Sequence, residues 1–291
     1  MADERSTRGE QTRTLLVGIG NPETTGGLME LARCLASQAD FRVIATHVLE
    51  VPPQADLRSA RGSKEMAEAR ERLLSAIREA AAKDVPVKGV VEVARDVDEG
   101  LISAAETQDA TLILVGYSEP PDDGEDGDGE RSFDRVMYTV ARNTEADMVV
   151  AKFRREQVRS ILLPINTGLN LAVSGMIARA VSRAREAPVT LIHLLREDAE
   201  DEDVARERLE ANLEEEGFGD LGELLIERPG ESVKPIDRLV EIASGYDITI
   251  VGAEPRPSIA DSIFGSWAEH VAREAESTVL LVRARGALEQ G

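Results

Sequence analysis

The chain has 291 residues, about two ordinary domains' worth, and its 42% hydrophobic content supplies folded cores and excludes disorder over most of the length. Thirty-four basic residues against 55 acidic ones leave a net charge of −21, and aromatics are only 3%, so the phosphate attraction and base stacking that nucleic-acid binding draws on are both lacking. The single cysteine, Cys34, excludes an intrachain disulfide, and there is no apolar run of about 18 residues to span a membrane.

Met1–Thr12 reads as a polar leader without the apolar stretch of a secretory signal, so the chain is expected to be soluble and cytoplasmic. From there short β-branched runs alternate with amphipathic stretches. Strands are predicted near 14–19, 41–48, 87–93, 111–116 and 147–152, then near 160–165, 188–194, 222–227, 247–252 and 278–283, with helices between them. Cys34 falls at helical spacing with Leu31 and Leu35 and is expected in the core. Ser118–Glu130 holds seven carboxylates and no basic residue, which predicts a solvated loop. Its Asp126-Gly-Asp128-Gly-Glu130 spacing is calcium-like but lacks the rest of a ligand loop.

The order repeats. Thr14-Leu-Leu-Val-Gly-Ile-Gly-Asn21 aligns with Ser160-Ile-Leu-Leu-Pro-Ile-Asn-Thr167, and Phe41–His47 aligns with Ala187–His193 at the same offset. Leu112–Gly116 matches Ile248–Gly252, and Phe133, Val136, Met137 and Val140 match Phe264, Trp267, Ala268 and Val271. In the second copy Leu169, Val173, Met176 and Ala180 are expected on a buried helical face with Asn170, Ser174 and Arg183 turned away; Val204, Leu209 and Leu213 form another before Gly217 ends their helix. Runs such as Thr111–Val115, apolar on both faces, call for parallel strands covered by helices. The predicted fold is α/β, two tandem open doubly wound parallel-sheet domains: a leader at 1–12, a first domain at 13–155 and a second at 156–291. The fifth runs, Asp147–Ala151 and Thr278–Val282, are apolar edges expected to pair as an internal pseudo-dimer.

Acidity is spread over both copies, and only five of the basic residues are lysines, a composition that resembles halophilic proteins. If so, repulsion unscreened in dilute buffer should lower the melting temperature relative to molar KCl.

Ligands of open α/β sheets sit beyond the carboxyl ends of the strands. After the fourth strand of copy two, Gly252-Ala-Glu-Pro255 is followed nine residues later by Gly265-Ser266. This spacing, with Leu191-Ile-His193 and Ser277–Val282, resembles the universal stress protein family, whose adenine-nucleotide alpha-hydrolase-like fold the chain would carry twice over residues 13–285. The resemblance implies a non-enzymatic stress-response or regulatory protein binding ATP or AMP, with magnesium for ATP, in copy two. Gly252, Gly265 and Ser266 would approach phosphates, Arg256 would supply charge, and Ile165 and Asn166 would meet the base. Pro255 stands where the family has a second glycine and removes one N–H donor.

In copy one Asp134 and Arg135 stand where copy two has Gly265 and Ser266, so a carboxylate is expected at that helix start and no phosphate site with it. His47, His193 and His270 are not spaced as metal ligands, and no nucleophile elbow, Walker lysine or zinc-protease motif is present. Two further functions stay open. His47–Pro53 and Gly20–Thr24 are similar to the cytosolic stress-protein tails of haloarchaeal amino-acid transporters, which implies an adaptor to a membrane transporter; weak ATP hydrolysis is the other. A further homodimer is also compatible with the sequence.

Overall fold

The structure, a computed structural model, describes residues 13–80, 85–117, 128–165, 170–195, 201–230, 232–253 and 264–286, with backbone alone at 79–80 and 128–134. The first repeat runs β1 (Arg13–Gly18), α1 (Pro22–Ala39), β2 (Phe41–Glu50), α2 (Leu57–Ala60), α3 (Lys64–Ala80), β3 (Val87–Ala94), α4 (Val97–Thr107), β4 (Leu112–Gly116), α5 (Asp128–Asn143) and β5 (Asp147–Lys152). The second runs β6 (Ile161–Pro164), α6 (Asn170–Arg185), β7 (Val189–Leu194), α7 (Glu202–Glu215), β8 (Glu223–Glu227), α8 (Pro235–Ser244), β9 (Ile248–Gly252), α9 (Ser266–Glu274) and β10 (Thr278–Arg283). Every expected strand is found, with ends moved by at most two residues.

All ten strands join one sheet in the order β3-β2-β1-β4-β5-β10-β9-β6-β7-β8. Within each repeat the pairs are parallel, which needs a crossover between consecutive strands and is why helices cover both faces. The strand residues explain the burial. Leu15 and Val17 pack on the face covered by α1, α3, α6 and α7, Leu16 on the face covered by α4, α5, α8 and α9, and all three are fully buried. Each such side chain is worth roughly 1.5–3 kcal/mol when taken from water.

The two repeats meet where the apolar edges were expected to. β5 and β10 pair antiparallel, from Val279 opposite Lys152 to Arg283 opposite Met148, and the register centres on Leu281 opposite Val150. Pairing here removes two edges that would otherwise offer unpaired backbone groups. Below the joint α1 packs on α6, and the Phe153 ring lies where a Cβ on Gly27 would sit, 2.6 Å from its ideal position. Glu30 on α1 takes Arg33 at 2.6 Å and pairs with Arg185 of the other repeat. Burial alone would raise the Glu30 carboxyl, but the Arg33 hydrogen bond and the two positive charges hold it below the usual glutamate range.

The connection between β5 and β6 is fixed by Asp247, a buried carboxylate just before β9. It accepts the Arg159 N–H at 2.8 Å and the Arg155 Nη1–H at 3.3 Å, and the Asp247 N–H in turn donates to Ser160 Oγ at 3.2 Å. Burial would raise this carboxyl, yet the Arg159 N–H and the Arg155 guanidinium outweigh it and hold it low.

Three local readings are corrected. Ser174 is not turned away from the core: α6 is buried both against the sheet and against α1, so its covered arc takes in Ser174 beside Val173, Ile177 and Ala178. On α7 the buried face is Ala205, Leu209 and Leu213, and Val204, about 100° around the helix from Ala205, is 53% exposed. The acidic stretch is not loop throughout, since α5 already begins at Asp128; residues 118–127, like the leader and Leu169, lie outside the described residues. Gly217 follows α7 at φ +74°, the left-handed position that suits glycine after a helix. Cys34 is buried on α1, and burial with the Glu30 charge beside it pushes its thiol up, away from reactivity.

Candidate functional site

The carboxyl ends of the strands are built alike in the two repeats. At the end of β6, Ile165 is buried, its N–H donates to Ile192 O at 2.8 Å, and its carbonyl accepts from His193 Nδ1 at 2.9 Å. At the end of β1, Ile19 does the same with Thr46 O at 2.7 Å and His47 Nδ1 at 2.8 Å. Because a carbonyl only accepts, each imidazole must carry its proton on Nδ1. The two histidines therefore tie the second strand of each repeat to the loop after its first. His270 lies 3.6 Å from Asp237 on the neighbouring helix. Among the described residues no group of three or more His, Cys, Asp or Glu could hold a metal ion.

The glycine after the fourth strand has a packing reason in both repeats. A Cβ on Gly116 would lie 2.6 Å from Thr24 Oγ1, and one on Gly252 would lie 2.9 Å from Asn170 Cβ. Thr24 and Asn170 are repeat-equivalent, so the first helix of each copy starts against the end of the fourth strand. Asn170 goes further. Its Nδ2–H donates to Ala253 O at 2.7 Å and its Oδ1 accepts the Ala284 N–H at 2.8 Å, which clamps the ends of β9 and β10 together.

Beyond this clamp the repeats diverge. In the second, Gly265 has φ +86°, a conformation that favours glycine, and serves as the N-cap residue of α9, whose buried face is Ala268, Val271 and Ala272. The helix thus opens at Ser266, and its first turn has the positive end of the dipole. Gly252, Ile165, Gly265 and Ser266 all stand at carboxyl ends of strands or at the helix start that follows; Asn166, Arg256, Pro255 and Pro257 lie outside the described residues.

In the first repeat the helix does not open at the equivalent place. Positions 134 and 135 are more than a turn inside α5, which begins at Asp128. The expected carboxylate at a helix start is therefore corrected: what sets this copy apart is a helix carried back through the equivalent position, so that its amides there belong to the interior of the helix.

A feature that the sequence reading missed lies in that same repeat. A cleft of about 380 Å³ opens between α1 and α3 above the ends of β1 and β2, with Ile19, Gly20, Gly26, His47, Arg72 and Leu73 among its walls. Near the joint, Lys152 of β5 is buried with its ammonium 5.1 Å from the Tyr117 ring centre. Its repeat equivalent, Arg283 of β10, is also buried, and burial holds that guanidinium below its ordinary value.

Comparison with known proteins agrees with this architecture. The universal stress protein family matches twice, over residues 11–152 and 157–283, and the chain belongs to that family. No curated protein sequence matches the chain. Among solved structures, a functionally unknown protein from Pseudomonas aeruginosa is 18% identical with a TM-score of 0.61, covering 96% of this chain and 95% of that one. A universal stress protein from Archaeoglobus fulgidus is 16% identical with a TM-score of 0.58, over 95% of this chain and 97% of that one. The cytoplasmic domain of a prokaryotic cation chloride cotransporter is 13% identical with a TM-score of 0.59, over 94% and 96% respectively. Family membership gives the chain a stress-response or regulatory role. Among the described residues no helix is long and apolar enough to cross a membrane.

Proposed function

We propose that the chain is a non-enzymatic stress-response module of two domains, 13–155 and 156–291, that binds one adenine nucleotide, ATP with magnesium or AMP, in the second. The observation that carries this reading is the start of α9. There a glycine at φ +86° leads straight into Ser266, while the equivalent stretch of α5 is helix interior. Phosphates would sit at the Gly265 and Ser266 end of the helix, with Arg256 as counter-charge and the base against Ile165 and Asn166. Gly252 would keep the backbone close. The lost donor at Pro255 and the field of a chain at −21 limit affinity to the micromolar range or weaker, no more than about 8 kcal/mol. A cytoplasmic, salt-adapted protein is the setting that the composition favours.

Calorimetry with ATP and magnesium, and with AMP, tests the reading. One site per chain is expected, weakened at least tenfold by Gly265→Asp. Two sites, or undiminished binding in the variant, would overturn it. A second reading, a nucleotide-independent adaptor at the cytosolic face of a membrane transporter, is favoured by the full-length fold likeness to the cotransporter's cytoplasmic domain. Absence of nucleotide binding together with capture by transporter tails would select it. Phosphate release under saturating ATP and magnesium would instead mark a hydrolase.

A further inference from the structure

The cleft of the first repeat has Ile19 and Gly20, the repeat equivalents of Ile165 and Asn166, among its walls, but the nucleotide reading assigns it no ligand, since that reading places its nucleotide in the other repeat. At about 380 Å³ it falls within the range of small-molecule sites and has room for on the order of fifteen non-hydrogen atoms at protein packing density. It lies over β1 and β2, between α1 and α3, and so on the face of the sheet opposite α5.

Two observations argue that this space is kept open. The first concerns glycine. A Cβ on Gly27 would run into Phe153, and one on Gly100 would lie 2.5 Å from Val48, so crowding explains both. Gly20 and Gly26 are different. A Cβ at either would meet nothing within 4 Å, and neither has a positive φ, yet both line the cleft. Gly26 lies inside the 18-residue α1, where glycine is a poorer choice than alanine unless something gains from the missing side chain.

The second concerns charge. Arg72 on α3 lines the cleft and makes no hydrogen bond or ion pair with any described residue. Glu68, four residues before it and spaced to pair with it, is held by Lys64 at 3.2 Å instead. The other polar groups on the walls are largely spent: Thr25 Oγ1 donates to Asn21 O at 2.9 Å, and His47 Nδ1 donates to Ile19 O. What remains among the described residues is an apolar lining of Ile19, Pro22, Ala69, Leu73 and Ala76, the His47 Nε2 acceptor and one cation, Arg72, at its side.

We propose that this cleft binds a small organic monocarboxylate with an apolar body, its carboxylate on the Arg72 guanidinium and its hydrocarbon against Ile19, Pro22 and Leu73. A single cation suits a single anionic group, and the continuous α5 withholds a helix start from any polyphosphate.

Titration of the full chain with octanoate, with octanol as the uncharged control and with adenosine, tests the assignment by backbone NMR and calorimetry. Octanoate is expected to bind once, to move the Gly20, Gly26 and Ala69 amides, and to bind at least tenfold more tightly than octanol. Arg72→Gln, a change at an exposed side chain, should remove that preference. Gly26→Leu should fill the cleft and abolish binding with the melting temperature unchanged or raised. Equal binding of octanoate and octanol to the unaltered chain, octanoate shifts confined to other amides, or displacement of octanoate by adenosine would each overturn the proposal. Failure here leaves the nucleotide reading untouched, because Gly265→Asp reports on the other repeat.

Discussion

α5 and α9 occupy equivalent places in two copies of one fold, yet one begins at Asp128, well before the shared apolar face, and the other at Ser266, close to it. Three features beneath them are alike: the histidine that ties the second strand to the first loop, the glycine that admits the first helix, and the order of strands. A fold therefore preserves its strand ends while the point at which a helix begins decides which backbone groups face the ligand end of the sheet. The first repeat also has a cleft of its own, bordered by two uncrowded glycines, Gly20 in the loop before α1 and Gly26 within it.

The largest effect is expected where the copies depend on each other. Leu281→Asp would set a carboxylate at the centre of the joint, opposite Val150, and should cost more than about 4 kcal/mol, enough to unfold a domain of ordinary stability. Leu225→Asp, on the outer strand β8 at 39% exposure, should stay within about 0.5 kcal/mol. Urea melts followed by circular dichroism give both numbers, and equal costs would mean that the joint is not shared core.

A smaller effect separates the paired glycines. Gly116→Ala and Gly252→Ala should each cost about 1–3 kcal/mol through overpacking, with Gly252→Ala the larger. Asn170 is held at both its amide atoms and cannot swing aside, whereas the Thr24 hydroxyl has a single hydrogen bond, to Asn21 O, to give up. The reverse order in denaturant melts would show that the Asn170 clamp yields.

The smallest effects concern two aspartates shifted in opposite directions. Asp247 is held low, so its contribution is present above the ordinary aspartate range and is lost as pH falls through the lowered value of the folded state. Asp147 is raised, chiefly by burial and against the Arg285 N–H that it accepts at 2.8 Å; its ionisation therefore weighs against the fold once pH rises through its raised value. Asp247→Asn should lower the melting temperature at neutral pH and flatten its fall into acid, and Asp147→Asn should raise it slightly. Melting curves from acid to neutral pH check both signs.

Strands were legible in the sequence because parallel strands buried on both faces read as unbroken apolar runs, as at Leu112–Val115 and Val279–Val282. The pairing of β5 with β10 followed from the same runs, since apolar edges do not stay exposed. Helix limits were less legible. The carboxylates around Asp128 suit a solvated loop and a first helical turn equally well, so composition could not place the start of α5. Val204 and Ala205 are adjacent, and an apolar pattern read one position off puts the wrong one in the core. The cleft had no signal of its own, for it is made by side chains that are missing, at Gly20 and Gly26, and by a helix some forty residues further along. Of the candidate site, Ile165, Gly252, Gly265 and Ser266 stand at strand ends or at the helix start as read, while the packing duty of Gly252 depends on Asn170, far away in sequence.

The antiparallel join of β5 to β10 sends the carboxyl ends of the two half-sheets in opposite directions. In a dimer of identical chains such a contact is isologous, and any substitution is made twice, once on each side of the axis. Here the halves are linked through residues 153–160, so their association is intramolecular and does not dilute away. Covalent linkage also frees the halves from obligatory identity: one can lose a helix start and open a cleft while the other keeps its own chemistry. The molecule is in that sense a two-ended device, in which each end can be tuned without a compensating change in the other.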